Sequence, residues 1–444
     1  MKQLAAIGLC LSSWLAGIAP AYATAHDTLL YRLHHTTAGS HPYIQQLVHD
    51  QLILRNQASQ RLQRCLLRID DKAPKHADLV LYVNYDRGWH AMQKVANCYG
   101  EERGTRIRVE FSPAGENLAS NFEQRMATGN GPDIILWAHD RVGDWAKRGY
   151  LQQINPHILL KHSIPLPTWE AGKYQGKYYG YPIAMESSAL IYNKELLPSV
   201  PSSIEAFATL GLPSGIRPLE WDYKNTYFTQ GLLAAGGGYA FKQNSSGWDA
   251  KDTGVNNGGS VVGLQTITNL INSGGLSPQA DYGSAMDGML TGQVAAIING
   301  PWAWKTLQEA GVNFGVAPLP SVAGQPGKPF VGVLTYLITS QSHYPADAKR
   351  FLENYLLTEQ AIALVDEEWA LGGVLNISYV LNDARNPLIL DSLQASLAGQ
   401  LMPNIPEMSK FWSAMPAAII SATNGSNSAK VALDQAASQI QAAE

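Results

Sequence analysis

The sequence predicts an α/β fold divided into two or three lobes. Its 444 residues exceed the roughly 100–200 residues of one domain, so a single lobe would be too small to hold them. Short apolar runs, such as residues 79–83, alternate with stretches of helical periodicity, which is the element order of an α/β sheet. Hydrophobic residues make up 45% of the chain, which is enough to bury a core.

Composition and charge argue against two broad classes of protein. The chain holds 32 Lys and Arg against 36 Asp and Glu, a formal net charge of −4. Nucleic-acid-binding domains usually carry a basic face, and this balance argues against one. Disordered chains are poor in aromatic residues, whereas this chain has 11 Trp, 20 Tyr and 9 Phe. We therefore expect a folded protein with no nucleic-acid partner.

Residues 1–25 are typical of a cleaved secretory signal peptide. They have a positive start, an apolar run over residues 4–18 and small-x-small cleavage sites near their end. The apolar run is too short to span a bilayer comfortably, although a retained anchor is the alternative. Leu9 precedes Cys10 where a lipoprotein signal requires Gly or Ala, which argues against lipidation. We expect an exported mature chain.

Residues 26–76 form an extension of different composition. They are rich in His, Gln and Arg, and apolar residues recur with helical spacing towards residue 69, which predicts a helix over 42–69. The histidines are a candidate metal site, and solvated polar residues are the alternative. No pattern of supporting ligands accompanies them, so we predict no metal and no cofactor.

Two cysteines, Cys65 and Cys98, remain after signal cleavage. An exported chain meets an oxidising compartment, in which the two can form a disulfide. Cys65 lies on the apolar face of the predicted helix, which favours pairing with the body of the protein. Two unrelated thiols are the alternative, and the absence of a CxxC pair argues against structural zinc.

The elements that follow alternate in the order strand, helix, strand. Strands are predicted at 79–83, 106–111 and 132–137, and helices at 89–99 and 118–126. Such alternation favours a lobe with a mostly parallel sheet. Further apolar runs occur at 295–298 and 331–334, and the last 60 or so residues read as mostly helical.

Polar and aromatic side chains follow the predicted strands, where ligands of open α/β sheets bind. Each strand end delivers an aromatic ring, a carboxylate or an arginine. Aromatic faces stack on the apolar faces of sugar rings, and carboxylates and guanidinium groups pair with hydroxyls. The pattern is thus typical of a carbohydrate site, with rim packing and surface ion pairs as the alternative.

Several longer stretches resemble the periplasmic maltose/maltodextrin-binding proteins, the solute receptors of ABC sugar importers. The resemblance covers about 77–444 with short gaps, and its motifs are far more specific than the strand-end pattern. The stretches are 127–141 (ATGNGPDIILWAHDR), 190–194 (LIYNK), 237–242 (GGYAFK), 299–304 (NGPWAW), 328–334 (KPFVGVL), 351–358 (FLENYLLT) and 402–412 (MPNIPEMSKFW).

The resemblance implies a periplasmic-binding-protein fold, in which two α/β lobes joined by a multi-strand hinge hold the ligand in a cleft. The expected crossings lie near Glu186–Ser187, Val333–Leu334 and Leu381–Arg385. They divide the chain into an N-lobe and a C-lobe. The expected ranges are 77–186 and 334–383 for the N-lobe, and 187–333 and 384–444 for the C-lobe.

The resemblance also assigns ligand-binding roles to ten side chains. The carboxylates and arginines are expected to hold sugar hydroxyls, and the aromatic rings to stack on sugar faces, with Tyr282 peripheral. The ten are Asp86, Arg87, Trp137, Asp140, Arg141, Glu186, Tyr227, Tyr282, Trp302 and Trp412.

Other positions depart from the family pattern. Arg87 stands where the family usually has Lys, and Asn225 where it has a carboxylate. Ser413 replaces an aromatic residue and Pro416 an arginine that reaches the sugar. Ala119 and Ser120 replace a pair of glutamates at the cleft edge. Pro416 also predicts that the helix from about 409 kinks or stops near residue 415.

The resemblance therefore implies a non-enzymatic periplasmic receptor for maltose and maltodextrins. It would deliver them to the membrane permease subunits of an ABC importer. A chemoreceptor is a further candidate partner, and the expected state is a monomer. Three alternatives stay open: the same fold binding another oligosaccharide, a glycoside hydrolase that would use two of the carboxylates, and a chemoreceptor-docking or surface-adhesin role for residues 26–76.

Overall fold

The computed structural model describes residues 59–113, 116–244, 247–376 and 387–442. The expected signal peptide, most of the extension and the expected crossing at 381–385 lie outside these residues. In chain order the strands are β1 (Leu79–Asn84), β2 (Ile107–Ser112), β3 (Ile134–Ala138), β4 (Lys173–Tyr174), β5 (Lys177–Tyr178), β6 (Gly180–Ser187), β7 (Ala189–Asn193), β8 (Lys242–Asn244), β9 (Gly247–Asp249), β10 (Ala296–Asn299), β11 (Phe314–Ala317), β12 (Phe330–Ile338), β13 (Gly373–Val374) and β14 (Gln400–Leu401).

A large sheet has the strand order β13-β6-β12-β3-β1-β2, with β14 paired to the end of β12. Its strands run parallel only around β1, which pairs with β2 and β3, and between β12 and β14. Strand β12 is antiparallel to both β3 and β6. The prediction of a mostly parallel sheet was therefore wrong. Strands β6 and β12 lead to and from the second sheet, so they are not successive strands of βα crossovers.

A smaller sheet, β10-β7-β11, is antiparallel throughout. Only Ser188 separates the last strand residue of β6 from the first of β7, so the chain passes from one sheet to the other near the expected Glu186–Ser187 crossing. Strand β12 makes the return: Phe330 packs in the core beside the small sheet and Val333 in that of the large sheet.

Helices cover both sheets. They are α1 (Trp89–Arg103), α2 (Leu118–Ala127), α3 (Val142–Lys147), α4 (Ile158–His162), α5 (Leu166–Ala171), α6 (Thr226–Leu233), α7 (Gly258–Asn272), α8 (Tyr282–Leu290), α9 (Trp304–Glu309), α10 (Pro345–Phe351), α11 (Glu359–Glu368), α12 (Pro387–Leu397), α13 (Met408–Thr423) and α14 (Ala429–Gln441). No helix within the described ranges is both long and apolar enough to cross a bilayer.

The buried side chains form separate cores on the two sheets. We call the elements around the large sheet, with core residues such as Val83 and Tyr336, the large-sheet lobe. The elements around the small sheet, with core residues such as Trp221 and Phe411, form the small-sheet lobe. This is the two-lobed α/β architecture that the resemblance implies.

Helix α13 runs through Pro416 without ending, so of the predicted kink or stop near Met415 the stop was wrong. One side of the helix is buried in the small-sheet core through Phe411, Met415 and Ile419, on both sides of the proline. This burial offsets the backbone hydrogen bond that proline cannot make. The carbonyl that loses this bond belongs to Trp412, which lines the cavity described below.

The described end of the extension is held on the outer face of the large-sheet lobe. Residues 59–66 are helical, and Leu62 and Cys65 are buried against α1. The sulfurs of Cys65 and Cys98 are joined in a disulfide, with their Cα atoms 5.9 Å apart. Beside it, the Arg68 guanidinium donates to both carboxylate oxygens of Glu101. The extension is thus fixed to α1 at its C-terminal end.

Replacing both Cys65 and Cys98 by serine should lower the free energy of unfolding by about 3–4 kcal/mol, because the bridge closes a loop of 33 residues in the unfolded chain. Urea denaturation of the oxidised protein and the double variant measures the difference. Alkylation followed by mass spectrometry is the control. Two alkylatable thiols in protein purified from an oxidising compartment would contradict the pairing.

Candidate ligand-binding site

A cavity of about 540 Å³ lies between the two lobes and receives side chains from both. Nine of the ten expected ligand-binding residues line it. They are Asp86, Arg87, Trp137, Asp140, Arg141, Glu186, Tyr227, Trp302 and Trp412. The expected peripheral residue, Tyr282, is not among the lining residues. Its ring packs behind that of Phe228, at 6.2 Å between centroids, and Phe228 faces the cavity.

Short turns at strand ends place the polar side chains. Asp86 and Arg87 follow β1 in a turn that ends at Gly88, whose φ of 68° favours glycine. Asp140 and Arg141 lie in a single 3₁₀ turn directly after β3. On the facing lobe, Trp302 lies in a similar turn after β10. The cavity therefore lies at the carboxyl ends of these strands, as expected for an α/β sheet.

Three buried polar atoms on the large-sheet side make no hydrogen bond within the described part of the chain. They are Oδ1 of Asp86, Nε1 of Trp137 and Nε of Arg141. A buried polar group without a partner costs about 1–3 kcal/mol, so such groups commonly await a ligand or water. One acceptor and two donors at the wall of one cavity suit a ligand that both donates and accepts, such as a hydroxyl.

Arg87 and Glu186 form a buried, bidentate ion pair. The two guanidinium nitrogens Nη1 and Nη2 donate to the two carboxylate oxygens, and the second bond is 3.1 Å long. Burial alone would lower the pKa of Arg87, but the carboxylates of Glu186 and Asp86 raise it overall, so the cation stays charged. Its guanidinium carbon also lies 5.6 Å from the ring centroid of Trp302, a cation–π contact that reaches the other lobe.

Asp140 makes a further polar contact between the lobes. The indole Nε1–H of Trp412 donates to its Oδ2 at 3.0 Å, and the Arg141 Nε lies 3.7 Å from the same oxygen. Burial raises the pKa of Asp140 to about 6, while Arg141 and Trp412 oppose that rise. Additional hydrogen-bond donors, such as ligand hydroxyls, would favour the ionised form further.

Ligand affinity should therefore fall as the pH drops through about 6. The ionised carboxylate of Asp140 accepts ligand donors more strongly than the protonated acid does, so protonation weakens binding, and one coupled proton changes affinity by up to about tenfold per pH unit. Titrations between pH 7.5 and pH 5 measure this slope. Asp140→Asn is the matched control: it should bind more weakly and without the slope, and an equal slope in that variant would contradict the assignment.

Aromatic rings line the small-sheet side. The rings of Tyr227 and Trp302 lie 6.0 Å apart at a tilt of 52°, and Phe228 lies beside both. Asn225, where the family usually has a carboxylate, uses its Oδ1 to accept from the Tyr227 N–H and so caps α6. Asn225 therefore orients the aromatic residues, and this oxygen is already engaged within the protein.

Sequence reasoning did not assign several of the lining residues to the site, Phe228, Asn117 and Met402 among them. Phe228 directly follows Tyr227, and Asn117 caps α2 through its side chain, so a helix-start signal was available for it. Met402 lies between β14 and α13, and its apolar side chain gave no sign of a ligand site. Pro416, expected only as a lost arginine, also lines the cavity.

The geometry suits binding more than covalent chemistry. Within the part of the chain that the structure describes, no serine, cysteine or histidine lines the cavity, and Glu186 is already paired with Arg87. Among the described residues, no group of three His, Cys, Asp or Glu side chains is placed to hold a metal ion.

Comparison with known proteins gives one consistent result. Residues 87–362 match the family model described as "Bacterial extracellular solute-binding protein". The maltotriose-binding protein of Pyrococcus abyssi is 30% identical over 74% of this chain and 76% of its own length. The maltooligosaccharide ABC transporter solute-binding lipoprotein of Streptococcus pneumoniae TIGR4 is 27% identical over 84% and 90%. The galactooligosaccharide-binding protein of Bacillus subtilis is 26% identical over 82% and 88%. The chain belongs to the family of bacterial extracellular solute-binding proteins.

Proposed function

We propose that the protein captures maltose and maltodextrins in the periplasm and delivers them to the membrane permease subunits of an ABC importer. One observation supports this proposal above the others: buried polar atoms of Asp86, Trp137 and Arg141 that make no hydrogen bond among the described residues face aromatic rings across one interlobe cavity. Hydroxyls would meet the polar wall, and sugar faces would stack on Trp302 and Trp412. Maltooligosaccharide names among the relatives point to the same ligand class.

The proposal includes the division of the chain into moving lobes. The N-lobe would comprise 77–186 and 334–383, and the C-lobe 187–333 and 384–444. Sugar contacts made by both lobes would favour the closed arrangement, because a ligand shifts a conformational equilibrium only by its differential affinity for the two states. Permease recognition of that arrangement, a periplasmic location after removal of residues 1–25, docking to a chemoreceptor and a monomeric state remain predictions.

The family is one of solute-binding proteins, and we propose that this chain too has no hydrolase activity. Glycoside hydrolysis requires one carboxyl group as acid and a second as base or nucleophile. Here the Arg87 ion pair occupies both oxygens of Glu186. Chromatography of maltotriose after long incubation with the protein tests this point, and the appearance of glucose or maltose would favour hydrolysis.

A second candidate function is binding of another oligosaccharide by the same site. Two observations favour it. Asn225 and Pro416 stand on the small-sheet side where the family usually has a carboxylate and an arginine, so that side offers the ligand fewer charged partners. In addition, one relative bears the name of a galactooligosaccharide-binding protein. Fewer polar partners fix the ligand orientation less tightly.

Tryptophan fluorescence tests the proposed function directly. Trp137, Trp302 and Trp412 line the cavity, so maltotriose should change the emission of the mature protein in a saturable way. Maltose and cellobiose, two disaccharides that differ only in the configuration of the linkage between their glucose units, are the matched ligand pair. The absence of any response to maltodextrins at millimolar concentration would count against the proposal.

A further inference from the structure

The cavity runs across the carboxyl edge of the large sheet, from one covering layer of helices to the other. On β1, Leu81 and Val83 pack in the core beneath α1, whereas Tyr82 packs in the core beneath α2. Asn117, the N-cap of α2, and Arg87, two residues before α1, both line the cavity. One end of the cavity therefore lies beside each layer.

The two ends of the cavity differ in what lies beyond them. At the α2 end Asn117 is exposed, so the cavity opens to solvent there. At the α1 end the cavity reaches Asp86, Arg87 and Trp302, and the Arg87 guanidinium lies over the Trp302 ring. A ligand chain thus has room to continue past Asn117, whereas its course past Trp302 depends on the side chains that follow.

Trp369, which follows α11, bridges the two lobes at the α1 end. Its indole Nε1–H donates to the carbonyl oxygen of Trp302 at 2.8 Å, and its ring packs against the small-sheet core. The ring of Tyr85 meets it edge-on, at 6.2 Å between centroids. Tyr85 directly precedes Asp86, and neither Tyr85 nor Trp369 is among the described residues that line the cavity. The two rings therefore lie behind the last lining residues at this end.

The backbone on both sides of Trp369 is firmly packed. Its N–H donates at 2.8 Å to the carbonyl of Val365, a residue buried in the large-sheet core. The carboxylate of Glu368 accepts two backbone N–H groups in the first turn of α1. A Cβ built on Gly372 would lie 2.8 Å from Cγ of Pro301, so the segment after Trp369 packs tightly against the 3₁₀ turn after β10. Moving the ring to admit an added ligand group would therefore disturb packed backbone.

We propose that Tyr85 and Trp369 form an end wall of the cavity and are specificity-determining residues. The terminal sugar unit of the ligand stops at Arg87 and Trp302, and further units extend past Asn117. A substituent on the terminus at the wall is rejected because it overlaps the two rings, whereas one on the other terminus reaches solvent. The identity of the sugar rests on the proposed function.

Two aromatic derivatives of maltotriose test the end wall. An aryl maltotrioside carries its aromatic group at the reducing terminus, and a maltotriose with a benzylidene acetal carries it at the non-reducing terminus. One derivative should bind the wild-type protein at least about tenfold more weakly than maltotriose, and the other within about threefold of maltotriose. Competition titrations against maltotriose give both affinities.

Trp369→Ala assigns the rejection to the wall. It removes the larger ring, so the affinity of the rejected derivative should rise at least about fivefold relative to that of the accepted one. The ratio of the two affinities is the readout, because a disturbance of Trp302 would weaken both derivatives alike. Tyr85→Ala, which keeps the bond between Trp369 and Trp302, is the second variant, for use if Trp369→Ala does not fold.

Trp248→Ala is the matched control. Trp248 is a partly buried tryptophan in β9 and is not among the described residues that line the cavity, so the ratio should stay that of the wild type. Equal affinities of the two derivatives for the wild-type protein would overturn the end wall. An unchanged ratio in folded Trp369→Ala or Tyr85→Ala would overturn its assignment to these rings.

If maltotriose itself does not bind, the proposed function fails, and the wall is decided in the ligand-free protein. There the hydrogen bond to Trp302 should slow solvent exchange of the Trp369 indole proton, whose nuclear magnetic resonance signal is identified by its loss in Trp369→Phe. Exchange as fast as that of a solvent-exposed indole would overturn the wall.

Discussion

Replacing Trp412 by alanine should weaken maltotriose binding by more than about 2 kcal/mol, the range of an aromatic hot spot. The Trp412 ring packs edge-on against Phe330 and Phe411, which hold it at the cavity wall, and its Nε1–H donates to Asp140 across the cleft. The substitution removes a stacking face and leaves Asp140 without this donor. Calorimetric titration of both proteins gives the difference.

Asn225→Ala is the control variant, because it removes a polar side chain from the same cavity instead of an aromatic one. Asn225 also lines the cavity, but its Oδ1 is engaged with the Tyr227 N–H, so its loss should cost under about 1 kcal/mol of binding. The loss of the cap should instead lower the stability of the protein by about 1 kcal/mol. A larger affinity loss at Asn225 than at Trp412 would show that polar partners, not aromatic area, hold the sugar.

Replacing Arg87 by methionine should lower the free energy of unfolding by about 3–5 kcal/mol, because it leaves the Glu186 carboxylate buried without its partner. The side chains of Arg87 and Glu186 are only 12% and 7% exposed, so solvent screens the pair little. Methionine keeps much of the side-chain length, which limits the effect of lost packing. Urea denaturation of the wild type and the variant measures the difference.

Two further variants separate the ion pair from general disruption. Arg87→Lys keeps the charge but cannot make the bidentate contact, so its loss should be smaller. Combining Arg87→Met with Glu186→Gln removes the unpaired charge, and stability should recover in part. If Arg87→Met unfolds at the wild-type urea concentration, the pair contributes nothing to stability.

Local pattern was sufficient to predict the first βα units. Helix α1 was expected to end near residue 99 and continues to Arg103, where Gly104, with a φ of 82°, caps it. That glycine was a readable stop signal. The mixed direction of the large sheet was not predictable in this way. Strands β6 and β12 are nearly continuous apolar runs, and such a run does not indicate whether the neighbouring strands are parallel or antiparallel to it.

The site was predictable in its residues but not in its contacts. Strand ends and the family resemblance indicated Asp86, Arg87 and Glu186, yet nothing in the sequence shows that Arg87 pairs with a carboxylate 99 positions away. Packing likewise decided that Phe228, and not Tyr282, faces the cavity. Both outcomes depend on how segments distant in sequence pack within one lobe, which local sequence does not encode.

The most direct test of the account is a calorimetric titration of the mature wild-type protein with maltose, maltotriose, trehalose and cellobiose. We expect saturable, one-site binding of maltose or maltotriose, and much weaker heats with trehalose and cellobiose. If the protein binds trehalose or cellobiose in preference to maltose and maltotriose, its ligand is another sugar, and the family assignment is unchanged. The absence of any heat of binding with maltose or maltotriose at millimolar concentration would contradict the central claim that this cavity is a maltodextrin site.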